Sequence, residues 1–361
     1  MKIIIGADIC IQKAEEKLNA KFISGDADGL VSKGILDRLN KADFRVYNLE
    51  GALTDNGDPL QKCGPCIKMD PRGVAGIKAL KADLITIANN HVVDLGQSGF
   101  EDTLKYLNEA GIPYIGGGMT IEDVKKPYVL ERDGKRIGFY TCCEHEFSWF
   151  SDYGYGTNGF DPLETLDEIV EFKKTVDFLI VLYHGGREYY RYAFPYLQKT
   201  CRKIAEKGAD LVVCQHTHCI GSEEDYKGSK IIYGQGNFIF CKYAEPGDEF
   251  WASGMLVEVN LDGDKVSYDY IPYTVDKEGI YATDDPSFIG DYKARSEELK
   301  EEGFVEKHFA EYADEVGDYY PDSILNSGRL EVMMNYTSCE PHRQMLDYCL
   351  KKKVMAKSMK K

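Results

Sequence analysis

Short apolar runs alternate with amphipathic stretches along the first two-thirds of this chain, and that alternation limits the folds open to it. The runs "KIIIGAD", "FRVYNLE", "ADLITIANN", "PYIGGG", "KRIGFYTC", "DFLIVLYHGG", "ADLVVCQHTH" and "SKIIYGQGNFIF" are of strand length and end in turn residues. Between them, "RGVAGIKALK", "GFEDTLKYLNEAG" and "AFPYLQKTCRKIAEKG" have helical periodicity, the second stopped by Gly111. Continuous apolar strands alternating with helices imply buried sheets under helical cover, the α/β class. "GMLVEVNLDGDKVSYDYIPYTV" reads as a β-hairpin turned at Asp262-Gly263. From about Asp285 the text becomes charged and helical, in "YKARSEELKEEGFVEKHFAEYADEV" and "RQMLDYCLKKKVMAK". The expected division is a main domain over 1–284 and a C-terminal helical extension or lid over 285–361, its Lys-rich end frayed.

The polar residues fall where the strands stop. Asp8 follows "KIIIGA", Glu50 follows "FRVYNL", Asn89, Asn90 and His91 follow "LITIA", His184 follows "FLIVLY", and His216 and His218 follow "LVVCQ". Open α/β sheets bind ligands beyond the carboxyl ends of their strands. Carboxylate, carboxamide and imidazole groups delivered to one edge form a mixed oxygen and nitrogen donor set. Such a set suits Zn, Fe, Mn or Ni, and more than four donors suit two ions. On an extended segment His216 and His218, two apart, face the same side. Each residue alone has an ordinary explanation as a cap, a turn or loop polarity; the combination does not.

Charge and cysteines narrow the partners. A net charge of −16 disfavours non-specific binding to nucleic acid or anionic membrane. No apolar run reaches the length of a membrane span, and "MKIIIGADICIQ" reads as a strand rather than a leader, so a cytoplasmic protein is expected. Eleven irregularly spaced cysteines fit reduced core thiols.

Other motifs carry less. "SGDADG" (24–29) lacks the glutamate that ends a calcium loop and reads as a turn before the "LVSKGILDRLNK" helix. "KCGPC" (62–66) has no second cysteine pair at zinc-site spacing. Lys62, Lys68 and Arg72 near it are either a basic pocket or a solvated loop, the latter preferred. "YIGGGM" is no dinucleotide fingerprint, and there is no G-x-S-x-G.

Taken in order, "NLEGALTDNGDP", "ITIANNHVVDLGQSGFEDTLKYLNEAGIPYIGGG", "LIVLYHGGREYY", "GADLVVCQHTH" and "IIYGQGNFIF" resemble the CapA family of poly-γ-glutamate capsule biosynthesis proteins, related to the calcineurin-like metallophosphoesterases. The resemblance covers roughly residues 1–275. It implies a four-layer αββα sandwich and a centre of two divalent ions (Mn, Fe or Zn). By this resemblance Asp8, Glu50, Asn90, His184, His216 and His218 are metal ligands, with Glu50 bridging. His91 faces substrate, Asp94 orients or charge-balances it, and Asn237 supports the site. One departure stands out: the metallophosphoesterase Asp-x-His is Asp8-Ile9-Cys10 here, so one ion in place of two is an alternative, as is Cys10 as a soft ligand. The implied activity is phosphoester hydrolysis on an anionic small molecule or polymer, with His91 as proton donor. The alternatives are hydrolysis of a γ-glutamyl or peptide amide, and non-catalytic binding of a polyanion or assembly partner.

Overall fold

The structure, a computed structural model, describes residues 1–12, 16–240 and 250–358. Its principal strands are β1 (Lys2–Cys10), β2 (Phe44–Leu49), β3 (Leu84–Thr86), β4 (Tyr114–Ile115), β5 (Tyr128–Arg132), β6 (Lys135–Cys143), β7 (Phe178–His184), β8 (Leu211–Gln215), β9 (Glu223–Tyr226), β10 (Ser229–Ile232), β11 (Asn237–Phe240), β12 (Ser253–Asp262), β13 (Lys265–Val275) and β14 (Ile280–Ala282). They form two mixed sheets. The first runs β14-β13-β12-β1-β2-β3-β4, with β11 also beside β1; the second runs β9-β10-β8-β7-β6-β5.

Strand alternation builds the layers. Ile3 and Ile5 of β1 point between the sheets, with Val46, Leu84 and Val257; opposite them stand Phe139, Ile180, Leu182, Leu211 and Val213. Ile4, one position out of phase, packs outward with Tyr47 and Ile85 beneath Leu18, Phe22, Ile35, Leu39, Phe100 and Leu107 of the covering helices. On the far side Leu179, Val181 and Val212 pack beneath Ile169, Leu197, Cys201 and Ile204. Helix, sheet, sheet and helix therefore stack as an αββα sandwich. Each fully buried Ile, Leu or Phe contributes roughly 1.5–3 kcal/mol.

Register brings the strand ends level. Asp8 pairs with Asn48, and Asn48 with Thr86, in the first sheet. His184 pairs with Cys143 on one side and Gln215 on the other in the second. The β1–β2 register shifts between Ile5 and Asp8. There the carbonyls of Ile5 and Gly6 accept hydrogen bonds from Gln235 Nε2 (2.9 Å) and Gln215 Nε2 (3.0 Å), the latter joining the two sheets beside the polar edge. Gly6 is required at this bend, because a Cβ would lie 2.2 Å from the Tyr47 ring.

Most sequence expectations match. The helix Gly96–Ala110 ends at Gly111 with φ +66°. The β12–β13 hairpin closes with Asp262 opposite Lys265, about the expected turn. The helix after "SGDADG" begins at Lys33 rather than Leu30, because Asp26 caps a separate short turn, Ala27–Leu30. No disulfide joins two of the described cysteines. No helix among the described residues is long and apolar enough to cross a membrane. The expected fraying falls on residues that lie in part beyond Ser358, outside those described.

The C-terminal helices pack against the sandwich. Pro286–Glu298 places Tyr292 among the inter-sheet residues. Leu299 and Val305 join the outer layer of the second sheet. The helices Phe304–Val316, Tyr319–Ser327, Leu330–Ser338 and Glu340–Ser358 follow. Phe309, Tyr320, Tyr336 and Met345 form a small core of their own with Tyr190 and Phe194, from the segment after β7. Arg187 Nε donates to the Tyr312 hydroxyl at 3.2 Å, and Tyr190 Oη lies 2.5 Å from His308 Nδ1.

Candidate metal centre

Each of the nine residues singled out in the sequence lies buried at the shared edge of the two sheets. Asn48 Nδ2 donates to Asp8 Oδ1 at 2.8 Å and stands 3.3 Å from His184 Nδ1. The other Asp8 oxygen accepts from the His216 backbone amide at 3.2 Å. His184 Nε2 lies 3.0 Å from Asn90 Oδ1 and 3.5 Å from Glu50 Oε1. His218 Nδ1 donates to Asn237 Oδ1 at 2.8 Å, and its ring stacks on Trp251 at 4.7 Å. Ligand atoms of Glu50, His216 and His218 all lie within 4.8 Å of one another.

The local backbone differs from the sequence reading at the two clustered histidines. Strand β8 ends at Gln215, and His216 and His218 take left-handed conformations, φ +88° and +53°. Same-side parity on an extended segment therefore does not apply. Their convergence, with ring centroids 5.9 Å apart, comes from two left-handed turns that non-glycine residues rarely adopt.

Asn89 and Asn90 divide their labour. Asn89 donates to Leu49 O and Asn48 Oδ1 and accepts from the amides of His91 and Val92, so it shapes the turn. Asn90 faces the centre. His91 Nδ1 bonds Asp94 Oδ2 at 2.6 Å, and Asp94 also accepts from the Ile67 amide and pairs with Lys62. Lys62 is buried, with Nζ 3.3 Å from His91 Nδ1 and 4.5 Å from the Phe147 ring. Lys62, Lys68 and Arg72 do not form one pocket, and the preferred reading of a solvated loop fails for the buried Lys62, which is paired with Asp94. Lys68 bonds Asp55 O, and the exposed Arg72 pairs with Asp70. Cys10 packs with Ile9 and Ile11 in the layer beneath the helices and belongs to none of the candidate ligand groups among the described residues.

The sequence reading missed Asn48, Glu144, Glu146 and His342. Glu144 and Glu146 directly follow β6, so the rule applied to the other strand ends would have found them in "CCEHEF". Glu146 Oε2 accepts from Asn90 Nδ2 at 2.8 Å. Glu144 Oε2 accepts from the Gly186 amide at 2.8 Å, and a Cβ on Gly185 would sit 2.6 Å from that oxygen, which accounts for the paired glycines of "HGG". His216 Nε2 stands 3.5 Å from Glu144 and 3.8 Å from Glu146. A cavity of about 170 Å³ opens among Asn90, His91, Glu146, Arg187, His216 and His342, with Cys63, Asn335 and Pro341 at its wall.

The electrostatics favour a cation here. Burial, reinforced by the Glu50 charge, pushes the Asp8 carboxyl up to about 6. Burial works against ionisation of Glu50, but His218, His184 and His91 outweigh it and hold that carboxyl below its usual range. Burial and the neighbouring His184 drive His216 well below the ordinary imidazole value, keeping it neutral as metal ligation requires. Both Glu50 oxygens and Nδ1 of His216 are buried without a hydrogen-bond partner. Buried polar atoms are otherwise almost always bonded, so the donor set fits a metal ion.

Two stacked mixed sheets between helical layers, with imidazole and carboxylate groups gathered where the strands end, define an αββα sandwich with a polar strand-end edge. Within that class, the chain belongs to the bacterial capsule synthesis protein PGA_cap family, whose model matches residues 8–242. It is 27% identical to the capsule biosynthesis protein CapA of Bacillus anthracis, over 66% of this chain and 59% of that one. It is 28% identical to the PGA biosynthesis protein CapA of Bacillus subtilis, over 48% and 47%. The chain thus spans about half to three-fifths of the length of these curated relatives. Among solved structures, a hypothetical protein from Thermus thermophilus is similar over 76% of this chain and 99% of its own, with 15% identity and a TM-score of 0.48.

Proposed function

We propose that this protein is a metal-dependent hydrolase acting on an anionic phosphoester, with two divalent ions at the strand ends. The observation that carries the reading is Glu50, whose two buried oxygens have no hydrogen-bond partner and lie among His184, His216 and His218. Asp8, Glu50 and His218 would hold one ion, and Glu50, Asn90, His184 and His216 the other. Such ions, when bound, polarise a phosphoryl oxygen and lower the pKa of a water. Asn48 holds Asp8 and His184 in place, and Asn237 orients His218. With Nδ1 held by Asp94, His91 has Nε2 left for the cavity it lines, in position to protonate a leaving oxygen. Asp94, itself paired with Lys62, orients His91 and balances its charge.

The test is metal analysis of the purified chain, joined to a screen of phosphomonoesters, phosphodiesters and γ-glutamyl amides under Mn, Zn and Fe. Turnover of a phosphoester that disappears in His184→Ala and His218→Ala supports the proposal. Full metal content and turnover in both variants would sink it. Turnover of γ-glutamyl amides alone would favour the second reading, which rests on the capsule and PGA biosynthesis names of the relatives.

A further inference from the structure

We propose that Glu146, Cys339 and His342 form a separate binding site for a zinc-like divalent ion, which fastens the C-terminal helices to the end of β6. Their ligand atoms lie within 4.8 Å of one another. Glu146 and Cys339 are buried, and the His342 side chain is 17% exposed. Cys339 and His342 lie beyond the span that matches the family model, residues 8–242.

Three observations carry the assignment. His342 Nε2 stands 3.8 Å from Glu146 Oε1, too far for a hydrogen bond. Two ligands of one zinc ion, each about 2.0–2.2 Å from it, stand roughly this far apart. His342 is also oriented for ligation, since Nδ1 lies 2.8 Å from the Tyr320 hydroxyl and Nε2 is turned to Glu146. An outer hydrogen bond of this kind commonly fixes the ring of a metal-binding histidine. Finally, neither Glu144 nor Glu146 lies within ion-pair distance of a lysine or arginine among the described residues, although both are buried. Cys339 Sγ is 3.7 Å from Glu144 Oε1, so its thiol enters the same acidic pocket. Unpaired buried carboxylates are costly, and a bound cation removes that cost.

The donor types set the ion class. A thiolate with an imidazole and a carboxylate selects Zn²⁺ or Co²⁺ over Mn²⁺ or Mg²⁺. Binding forms a sulfur–metal bond and releases the Cys339 thiol proton to solvent. This site is distinct from the strand-end centre, whose ligands include no sulfur, and it stands whether or not that centre holds ions.

The test is titration of the full chain with Co²⁺, following thiolate-to-cobalt charge-transfer absorption in the near ultraviolet and bound metal per chain. The expected result is a thiolate band in the wild type and in His218→Ala. That band should be lost in Cys339→Ser, and one bound cation per chain should be lost in both Cys339→Ser and His342→Gln. His342 is partly exposed, so its replacement by glutamine keeps the count informative if the buried serine does not fold. Absence of a thiolate band from the saturated wild type would overturn the proposal. So would a band and metal count unchanged in the variants, since another thiolate would then hold the cobalt.

Discussion

Asn90 donates a 2.8 Å hydrogen bond to Glu146, tying the loop after β3 in one sheet to the loop after β6 in the other. Asn90 turns its remaining polar atom, Oδ1, towards His184. Glu146 therefore sets the rotation of a candidate ligand. Replacing it with alanine leaves the carboxamide free to turn. Outer-shell losses of this kind typically cost 10–100-fold in metal affinity. We expect Glu146→Ala to weaken Mn²⁺ binding by about tenfold or more in equilibrium dialysis; unchanged binding would refute this role.

Cation binding should also register as stability. A ligand at a hundred times its dissociation constant adds about 2.7 kcal/mol to the folded state. For a chain of this size that is a rise in Tm of several degrees. Thermal scans of the wild type with Mn²⁺, against EDTA, should show it. His216→Ala, which removes a ligand of only one of the two proposed ions, should respond less, and an equal rise in that variant would place the binding elsewhere.

The inter-sheet core offers a control independent of metal. Phe139 is fully buried, with its ring 5.1 Å from that of Phe44. Phe139→Ala should cost about 3–5 kcal/mol in urea unfolding. A loss under about 1 kcal/mol would mean the sheets close over the cavity more readily than their side chains suggest.

Gly185 separates backbone from ligand geometry. Its replacement by alanine puts a methyl group 2.6 Å from Glu144 Oε2. Either Glu144 or the loop after His184 must move, at about 1–3 kcal/mol for the overpacking. The expected outcome is a modest fall in stability with a larger fall in metal content. Gly290→Ala, where a Cβ meets nothing within 4 Å, should leave metal content unchanged.

Docking of the C-terminal helices should depend on pH through His308. Burial lowers the His308 pKa, and its ring packs against Tyr192 at 4.4 Å and Phe304 at 5.4 Å. The folded state therefore prefers the neutral ring. As pH falls below the unfolded value of about 6.5, the unfolded state takes up the proton first and stability is lost. Hydrogen exchange across 304–316 should quicken between pH 7 and pH 5 in the wild type. In His308→Gln it should depend less on pH, after correction for intrinsic exchange.

The sandwich was legible because apolar period and turn residues survive in sequence without tertiary help. So were Asp8, Glu50, Asn90 and His184, each a polar residue abutting an apolar run. Glu144 and Glu146 obey the same rule, but neither is a histidine nor falls at a familiar motif spacing, so nothing local sets them apart. His342 could not have been found that way. It sits on a helix far along the chain, and only the docking of that helix brings it to Glu146. The left-handed turns at His216 and His218 were illegible for another reason. Histidine adopts positive φ more often than most non-glycine residues but still rarely, and the contacts around Asp8, Trp251 and Asn237 hold it there.

The wall that Asn335, Pro341 and His342 give the cavity has an evolutionary consequence. The family core, residues 8–242, supplies the strand-end groups, whereas this wall comes from sequence outside it. Drift or exchange in the C-terminal helices would reshape what the cavity admits while leaving every strand-end residue in place. The lining of this one cavity is thus encoded in two separate stretches of the gene, free to change at different rates.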